Sequence, residues 1–524
     1  MDITLIAIIF FWVFCIIWVP IIIAANKKTH PKALFILFFA EMWERFSYYG
    51  MRAILLLYMT RVLFEKLGSG ADAKAVAIYG SYTAGVYLFP ILGGVVADKF
   101  FGFRRSIILG GALMVLGHFT LAVMGFVDET NTVMFFLSLA LIIVGNGYFK
   151  PNISSFLGKF YDQADVRKDA AFNIFYMGIN VGALLSIFTV GYIGEKVNWH
   201  LGFGLAGIFM VLGLLVFWFN QDKLEGKGLV PDKKNDTEKV FAGLSRNNFI
   251  LLGSLLLIPL FALMMEKNEL FSKILLMIGV VVFLGLFIYG AILASQGQKK
   301  EGQRLWVVVI LALFNVIFWA LFEQAGGSLT LYADKFTNRN VFGSEVPASV
   351  IQGFNSMFII ILAPAFAWMW SSLAKAKKDI GIPLKFVLGL AFLALGFYMV
   401  VLGGKSIGDA GKVSLIFLIL MYLFHTIGEL FLSPIGLSMV SKLSPAKLVG
   451  FIMGVWFLSF SLANNLGGII GKLNSEASAE GSIAEQLATY SETYMNLGVY
   501  LVLGAAALLL LLTPFLNRWT HGIK

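Results

Sequence analysis

Runs of about 20 apolar residues recur along nearly the whole chain, each long enough to cross a bilayer core of about 30 Å. Lipid offers no hydrogen-bond partners, so such segments must satisfy their backbone groups internally, as helices do. The pattern therefore predicts an all-α integral membrane protein. Fifteen spans are expected, near 3–25, 33–62, 77–97, 106–126, 132–158, 170–194, 201–220, 248–265, 272–295, 305–333, 348–372, 386–403, 413–441, 448–471 and 493–516. Only 13% of residues are charged, against about 25% in soluble chains. The connections are short and leave no room for a separate soluble domain.

The longest polar connection, about 221–247, carries Lys223, Lys227, Lys233, Lys234, Lys239 and Arg246. Six spans lie between residue 33 and this linker, two follow it to about residue 300, and six more come after. The expected organisation is an extra N-terminal helix and loop (1–32), a six-helix bundle (33–221), the basic linker with two inserted helices (222–303) and a second six-helix bundle (304–524). Two bundles of this kind are a common transporter plan.

If the first span runs from outside to inside, inside loops hold 26 and outside loops 11 of the 40 Lys and Arg. The excess of positive charge on cytoplasmic loops sets this orientation, with the N-terminus outside and the C-terminus inside. The net charge of +10 is mostly this signal, and without a soluble basic domain it gives no case for nucleic acid. The first span follows Met1-Asp2 rather than a basic segment, so it reads as a retained helix rather than a cleaved leader. Cys15, the single cysteine, permits no internal disulfide.

The segment 33–62 carries Glu41, Glu44, Arg45 and Arg52 at membrane depth. Each costs roughly 2.5–3.5 kcal/mol at the bilayer centre, so such groups persist where they face a protein interior or wet cavity. At about 100° per residue, Glu41, Glu44, Arg45, Tyr48 and Arg52 form one stripe, with lipid-compatible residues expected behind it. A structural ion-pair stripe is the plainer alternative. Lys150, Glu323 and Glu429 lie in other spans. Four acids then face three bases, leaving one carboxylate without a permanent counter-ion. A carboxylate that gains and loses a proton can couple proton flow to another process.

Lys150 precedes Pro151 in the fourth span of the first half, and Glu429 lies near Ser433-Pro434 in the fourth span of the second. Proline interrupts helices, and interrupted spans at matching positions point to a transport site. Asn180 and Asn355 read singly as helix–helix contacts, and Tyr87, Trp319 and Trp456 as interface anchors or cavity walls. His118 and His425 read as packed polar residues. The loop Gly94-(x)3-Asp98-Lys99-(x)2-Gly102-(x)-Arg104-Arg105 reads as gate or scaffold, with Asp98 capping a helix or pairing with a base. No nucleotide, zinc or catalytic motif is present, so neither a cofactor nor an enzymatic activity is expected.

That loop resembles the signature of the major facilitator superfamily. Glu41-(x)2-Glu44-Arg45-Phe46-(x)-Tyr48-Tyr49-Gly50, Phe175-Tyr176-(x)2-Ile179-Asn180-(x)-Gly182 and Phe318-Trp319-(x)3-Glu323-Gln324 resemble signatures of the proton-dependent oligopeptide transporters. The resemblance covers nearly all of 33–516, and the two inserted helices match prokaryotic members. It implies a major facilitator fold acting as a monomer in the cell membrane and importing di- and tripeptides with protons by alternating access. Carried over, Arg52 and Lys150 would hold the peptide carboxylate, and Asn180, Asn355 and Glu429 the amino end. Tyr48, Tyr87, Trp319, Trp456 and Phe457 would line side-chain pockets, while Glu41, Glu44, Arg45 and Glu323 would handle protons. Gly80 stands where animal members carry a histidine, and the span before residue 33 is additional to the usual fourteen. The rivals are a facilitator-type carrier of a drug or nitrate, and a non-transporting receptor on the same fold.

Overall fold

The computed structural model describes residues 2–162, 165–378, 380–407, 411–432, 436–445 and 448–523. In chain order the helices are α1 (Ile3–Asn26), α2 (Lys32–Tyr58), α3 (Ala71–Val96), α4 (Gly102–Val127), α5 (Thr132–Gly158), α6 (Lys168–Lys196), α7 (Trp199–Phe219), the single turn α8 (Lys234–Thr237), α9 (Arg246–Glu266) and α10 (Asn268–Ser295). They continue with α11 (Lys299–Phe322), α12 (Ser328–Phe336), α13 (Gly353–Lys375), α14 (Ile382–Lys405), α15 (Leu415–Leu432), α16 (Gly436–Leu443), α17 (Val449–Ala477), α18 (Ile483–Thr493) and α19 (Val502–Trp519). Short two-stranded ribbons decorate the connections.

Thirteen helical segments among the described residues are long and apolar enough to cross a membrane, making this a multi-pass membrane protein. One of them, Glu65–Val127, joins two expected spans, and the charged α2 adds another, so each of the fifteen expected segments has its helix. Polar residues set several starts by accepting otherwise unpaired backbone N–H groups. Asp2 caps α1, Asn131 caps α5, Asn198 caps α7 and Ser245 caps α9. Ser482 and Glu485 form a reciprocal capping box at α18.

Several expected spans change helical pitch along their length. The segment expected at 305–333 is α11, a 3-10 turn at Glu323–Gly326, and α12. In the one at 413–441, α15 and α16 lie on either side of residues outside those described. The last begins early, at α18, and passes through a π turn at Tyr494–Leu501 into α19. Apolar runs report membrane depth but not a local change of helical pitch.

The chain divides into two compact units. Unit 1 comprises Met1–Lys66, Gly85–Lys267 and Asn340–Ser356; unit 2 comprises Leu67–Ala84, Asn268–Arg339 and Met357–Lys524. In unit 1, α2 packs against α6 and α7, α4 against α5 and α7, and α9 against α5. In unit 2, α14 packs against α15 and α19, α11 against α17, and α10 against α11. The extra helix α1 lies on α6. Its Trp12 donates to Thr189 Oγ1 at 2.9 Å and stacks on Trp43 of α2.

Candidate functional site

In unit 1 the α2 stripe is an ion cluster. Arg45 Nε donates to Glu41 Oε1 at 2.7 Å and lies 3.1 Å from Glu44 Oε2. Their side chains are only 3%, 1% and 0% exposed, so the cluster is sealed inside protein. Asn146 Nδ2 of α5 donates to Glu44 Oε1 at 2.8 Å. Removing two carboxylates and a guanidinium from water costs several kcal/mol per ion, repaid only by geometry this close. Tyr48 and Arg52 are buried on the same helix. The expectation of lipid-compatible residues behind the stripe is corrected: α2 is buried almost all round. Its rear face meets α6 and α7, with Trp43 stacked on Phe209 and Phe46 tilted against the same ring.

Lys150 Nζ sits 4.4 Å from the ring centre of Tyr87, within cation–π range. The two expected pocket residues are therefore neighbours. Helix α5 is not interrupted at Pro151; it runs on to Gly158. Proline removes only one N–H, and Asn152 Nδ2 supplies an extra donor to Tyr148 O at 2.8 Å. Asn180 is buried on α6, its Nδ2 donating to Tyr176 O at 3.0 Å.

Asn355 also belongs to unit 1, although it lies in the second half of the sequence. Glu195, at the end of α6, holds that segment. Its oxygens accept from Ala348 N at 3.1 Å, Ser349 N at 3.0 Å and Ser349 Oγ at 2.9 Å. Arg61 Nη1 stands 3.8 Å from the same carboxylate. Glu195 and Asn146 were not among the expected site residues.

In unit 2, Glu323 caps the end of α11. It lines a cavity of about 10 Å³ together with Tyr79, Thr83 and Asn464, close to the size that holds one water. Gly80 lines the same cavity, and a Cβ there would stand 2.5 Å from Gly468 Cα. The close approach of α3 and α17 leaves no space for a histidine at position 80. Gln324 fixes the helix break: its Nε2 donates to Ala320 O and Gly467 O, both at 2.9 Å, and its Oε1 accepts from Ser328 at 2.7 Å.

Trp319 Nε1 donates to Asn315 Oδ1 at 3.1 Å, and Asn315 in turn donates to Ser459 Oγ at 2.9 Å. Phe460 joins Trp319 and Trp456 into one aromatic wall, with ring centres 5.2 Å and 6.3 Å away. Phe457, beside Trp456 in sequence, is half-buried on α17. Glu429 is half-buried on α15; Ser433 and Pro434, expected to interrupt its span, lie outside the described residues. His425 is buried against Phe397 at 4.8 Å between ring centres.

The glycine-rich loop between α3 and α4 is a clamp for the linker of unit 1. Arg104 donates from Nε to Lys227 O at 2.6 Å, from Nη1 to Gln221 O at 2.9 Å and from Nη2 to Leu224 O at 3.2 Å. Arg105 pairs with Asp236 at 2.7 Å. Donation from Arg105 and Asn247 holds the Asp236 carboxyl below the usual range. Gly102 enters α4 at φ 76°, and Leu229 O occupies the space a side chain would need. Gly94 is half-buried. Asp98 stays exposed in a π turn and makes no ion pair among the described residues. Its expected pairing is corrected: the linker supplies the partners of this loop.

Comparison with known proteins places these features in a family. The sequence model of the POT family matches residues 104–490. The chain is 36% identical over 501 residues to the uncharacterized transporter YclF of Bacillus subtilis, covering 94% of this chain and 96% of that one. It is 34% identical to the peptide transporter YePEPT of Yersinia enterocolitica, covering 93% and 94%. It is 31% identical to the dipeptide and tripeptide permease B of Shigella dysenteriae, covering 93% and 96%. A crystal structure of a peptide transporter POT in complex with alafosfalin superposes with TM-score 0.78 at 36% identity, covering 94% of this chain and 96% of that one. A POT family transporter in complex with 5-aminolevulinic acid gives TM-score 0.78 at 30% identity, covering 93% and 97%.

Proposed function

This chain belongs to the POT family, and from that premise we propose that it is a proton-coupled symporter importing di- and tripeptides by alternating access. Relatives named as peptide transporters and as dipeptide and tripeptide permeases, alike over nearly their whole length, support the peptide substrate. One observation supports the proton. Two sealed carboxylates, Glu41 and Glu44, share the single guanidinium of Arg45. A cluster built only to lock helices has no use for the second acid. One that loads and releases a proton does, because the charge count of the cluster then changes by one without breaking its framework.

In this reading Glu41, Glu44, Arg45 and Glu323 carry the coupling. Arg52 and Lys150 take the peptide carboxylate, and Asn180, Asn355 and Glu429 its amino group. Tyr48, Tyr87, Trp319, Trp456 and Phe457 form the walls that accept different side chains. A short peptide is a zwitterion with ends about 5–10 Å apart, at 3.3–3.6 Å per residue. Fixed groups for the two ends and adaptable walls between them give broad specificity. The protein acts as a monomer in the cell membrane, with its N-terminus outside and its C-terminus in the cytoplasm. Gly94, Asp98, Arg104 and Arg105 serve the cytoplasmic scaffold.

The test is uptake of labelled dialanine into proteoliposomes with and without an inward proton gradient, with unlabelled dipeptides as competitors. Gradient-stimulated, dipeptide-competed uptake supports the proposal. Uptake indifferent to dipeptides, or to the gradient, refutes it.

A further inference from the structure

Unit 2 contains a second, larger cavity, of about 240 Å³, where α10 diverges from α17. The two helices meet closely at Gly279 and Leu462, where a Cβ on the glycine would lie 2.7 Å from Leu462 Cδ1. Toward the start of α10 and the end of α17 they separate, and the cavity fills the wedge. Glu269 and Lys472 bridge it with an ion pair at 2.7 Å. Glu476 stands farther from Lys472, at 3.7 Å. Lys273, also on the lining, makes no close ion pair among the described residues, and its charge reaches Glu269 one turn away. Ser272, beside it, has a buried Oγ with no hydrogen-bond partner among the described residues.

The charges lie in the first turns of α10 and the last turns of α17, whereas the deeper lining is uncharged, with Leu276, Ile469, Gly468 and Asn465. That gradient follows a bilayer interface. On the same face of α10 as Lys273, Met277, Val280 and Leu284 are 62%, 58% and 57% exposed. This apolar strip lies along a membrane helix, as acyl chains require. At the polar end Lys273 and Ser272 offer donors to an anion, and Glu476 offers an acceptor to a cation. The occupant this arrangement selects carries one negative and one hydrogen-bonding positive group, close together, above two hydrocarbon chains.

We propose that this wedge binds a zwitterionic aminophospholipid of the phosphatidylethanolamine type. The phosphate lies against Lys273 and Ser272, the primary ammonium against Glu476, and the acyl chains along the exposed strip of α10. The cavity is roomy against the about 30 Å³ that one water occupies. The headgroup seals the wedge that the pairing of Lys472 with Glu269 and Glu476 leaves open. Gly468 lines both this cavity and the smaller one at Glu323, so the lipid site backs onto the proposed coupling region.

The test is native mass spectrometry of the full chain in detergent, titrated with dioleoyl phosphatidylethanolamine, phosphatidylcholine or phosphatidylglycerol. The expected result is at least a fivefold tighter first adduct with phosphatidylethanolamine than with either other lipid. The paired exchange Lys273→Glu with Glu476→Lys keeps the net charge, and it should abolish that preference. Lys273→Gln alone should weaken the adduct while the lipid-free melting midpoint stays that of the parent, which separates lost binding from lost folding. Equal adducts for all three lipids, or an unchanged preference in the exchanged variant, would overturn the proposal. So would displacement of the lipid by equimolar soluble phosphoethanolamine or dialanine, since either would make the wedge a site for small solutes.

Discussion

The two units hold their membrane-depth acids in different ways. In unit 1, Glu41 and Glu44 are sealed in a cluster with Arg45 and Asn146. In unit 2, Glu323 ends a helix beside a cavity of about 10 Å³. A sealed cluster depends on every member, because each ion left alone has lost its water and its counter-charge together. An acid at a helix break beside a cavity has room to change its charge without a collapse of the packing. Substitutions in unit 1 should therefore strike folding and transport together, and a conservative one at Glu323 should separate them.

The largest effect is expected at Arg45. Arg45→Met leaves Glu41 and Glu44 buried without their guanidinium. Breaking a buried pair from one side costs about 3–5 kcal/mol, a large part of a typical margin of about 5–15 kcal/mol. Low yield of folded protein and a strongly lowered melting midpoint are expected. A variant that melts like the parent would show that the cluster does not hold unit 1 together.

Next comes Glu323→Gln, which keeps size and removes charge. Gradient-driven uptake should fall at least tenfold while peptide-for-peptide exchange persists and the melting midpoint stays close to the parent's. Loss of exchange as well as uptake would make Glu323 a binding group rather than a coupling one.

A moderate effect is expected at Gly80→Ala, whose added methyl would meet Gly468 Cα at 2.5 Å. Overpacking of this kind typically costs about 1–3 kcal/mol. A clear fall in melting midpoint is expected, and a histidine at the same position should be worse. Normal stability of both would mean that α3 and α17 can part at that point.

The smallest effect is expected at Asp165 of unit 1, whose partner Arg167 is exposed. Hydrogen bonds from Arg167 hold this carboxyl down at about 2, below its ordinary 3.8. A lowered folded-state value means that the contribution is present above pH 3.8 and fades as pH falls through about 2. Exposure to water keeps it slight. Asp165→Asn should leave the melting midpoint at pH 7 almost unchanged and flatten a small decline between pH 4 and pH 2. A large loss at neutral pH would give the Asp165–Arg167 pair a structural weight that the exposure of Arg167 argues against.

Much of the fold was legible because hydrocarbon thickness imposes one length on every span, and the sequence repeats that length fifteen times. The α2 stripe was legible because charge at membrane depth is costly enough to stand out. What escaped detection had weaker marks. Asn146 sits between Gly145 and Gly147, and a lone asparagine in a span reads as helix contact until Glu44 is seen beside it. Glu195 lies at the edge of its span, where a carboxylate is cheap, so nothing marked it as the cap for Ala348 and Ser349. The partners of Arg104 are backbone carbonyls more than a hundred residues away, which no side-chain pattern encodes. The capping box at Ser482 and Glu485 was readable by its spacing, and it places the start of the last helical segment earlier than hydropathy did.

The central claim is that peptide and proton enter together through the membrane-depth acids. Proteoliposomes loaded with a pH-sensitive dye test it directly. On addition of external dialanine without any imposed gradient, the lumen should acidify with the parent protein. It should not acidify with Glu323→Gln, although that variant still exchanges labelled peptide. Peptide entry without acidification in the parent, or equal acidification in the variant, would contradict the account.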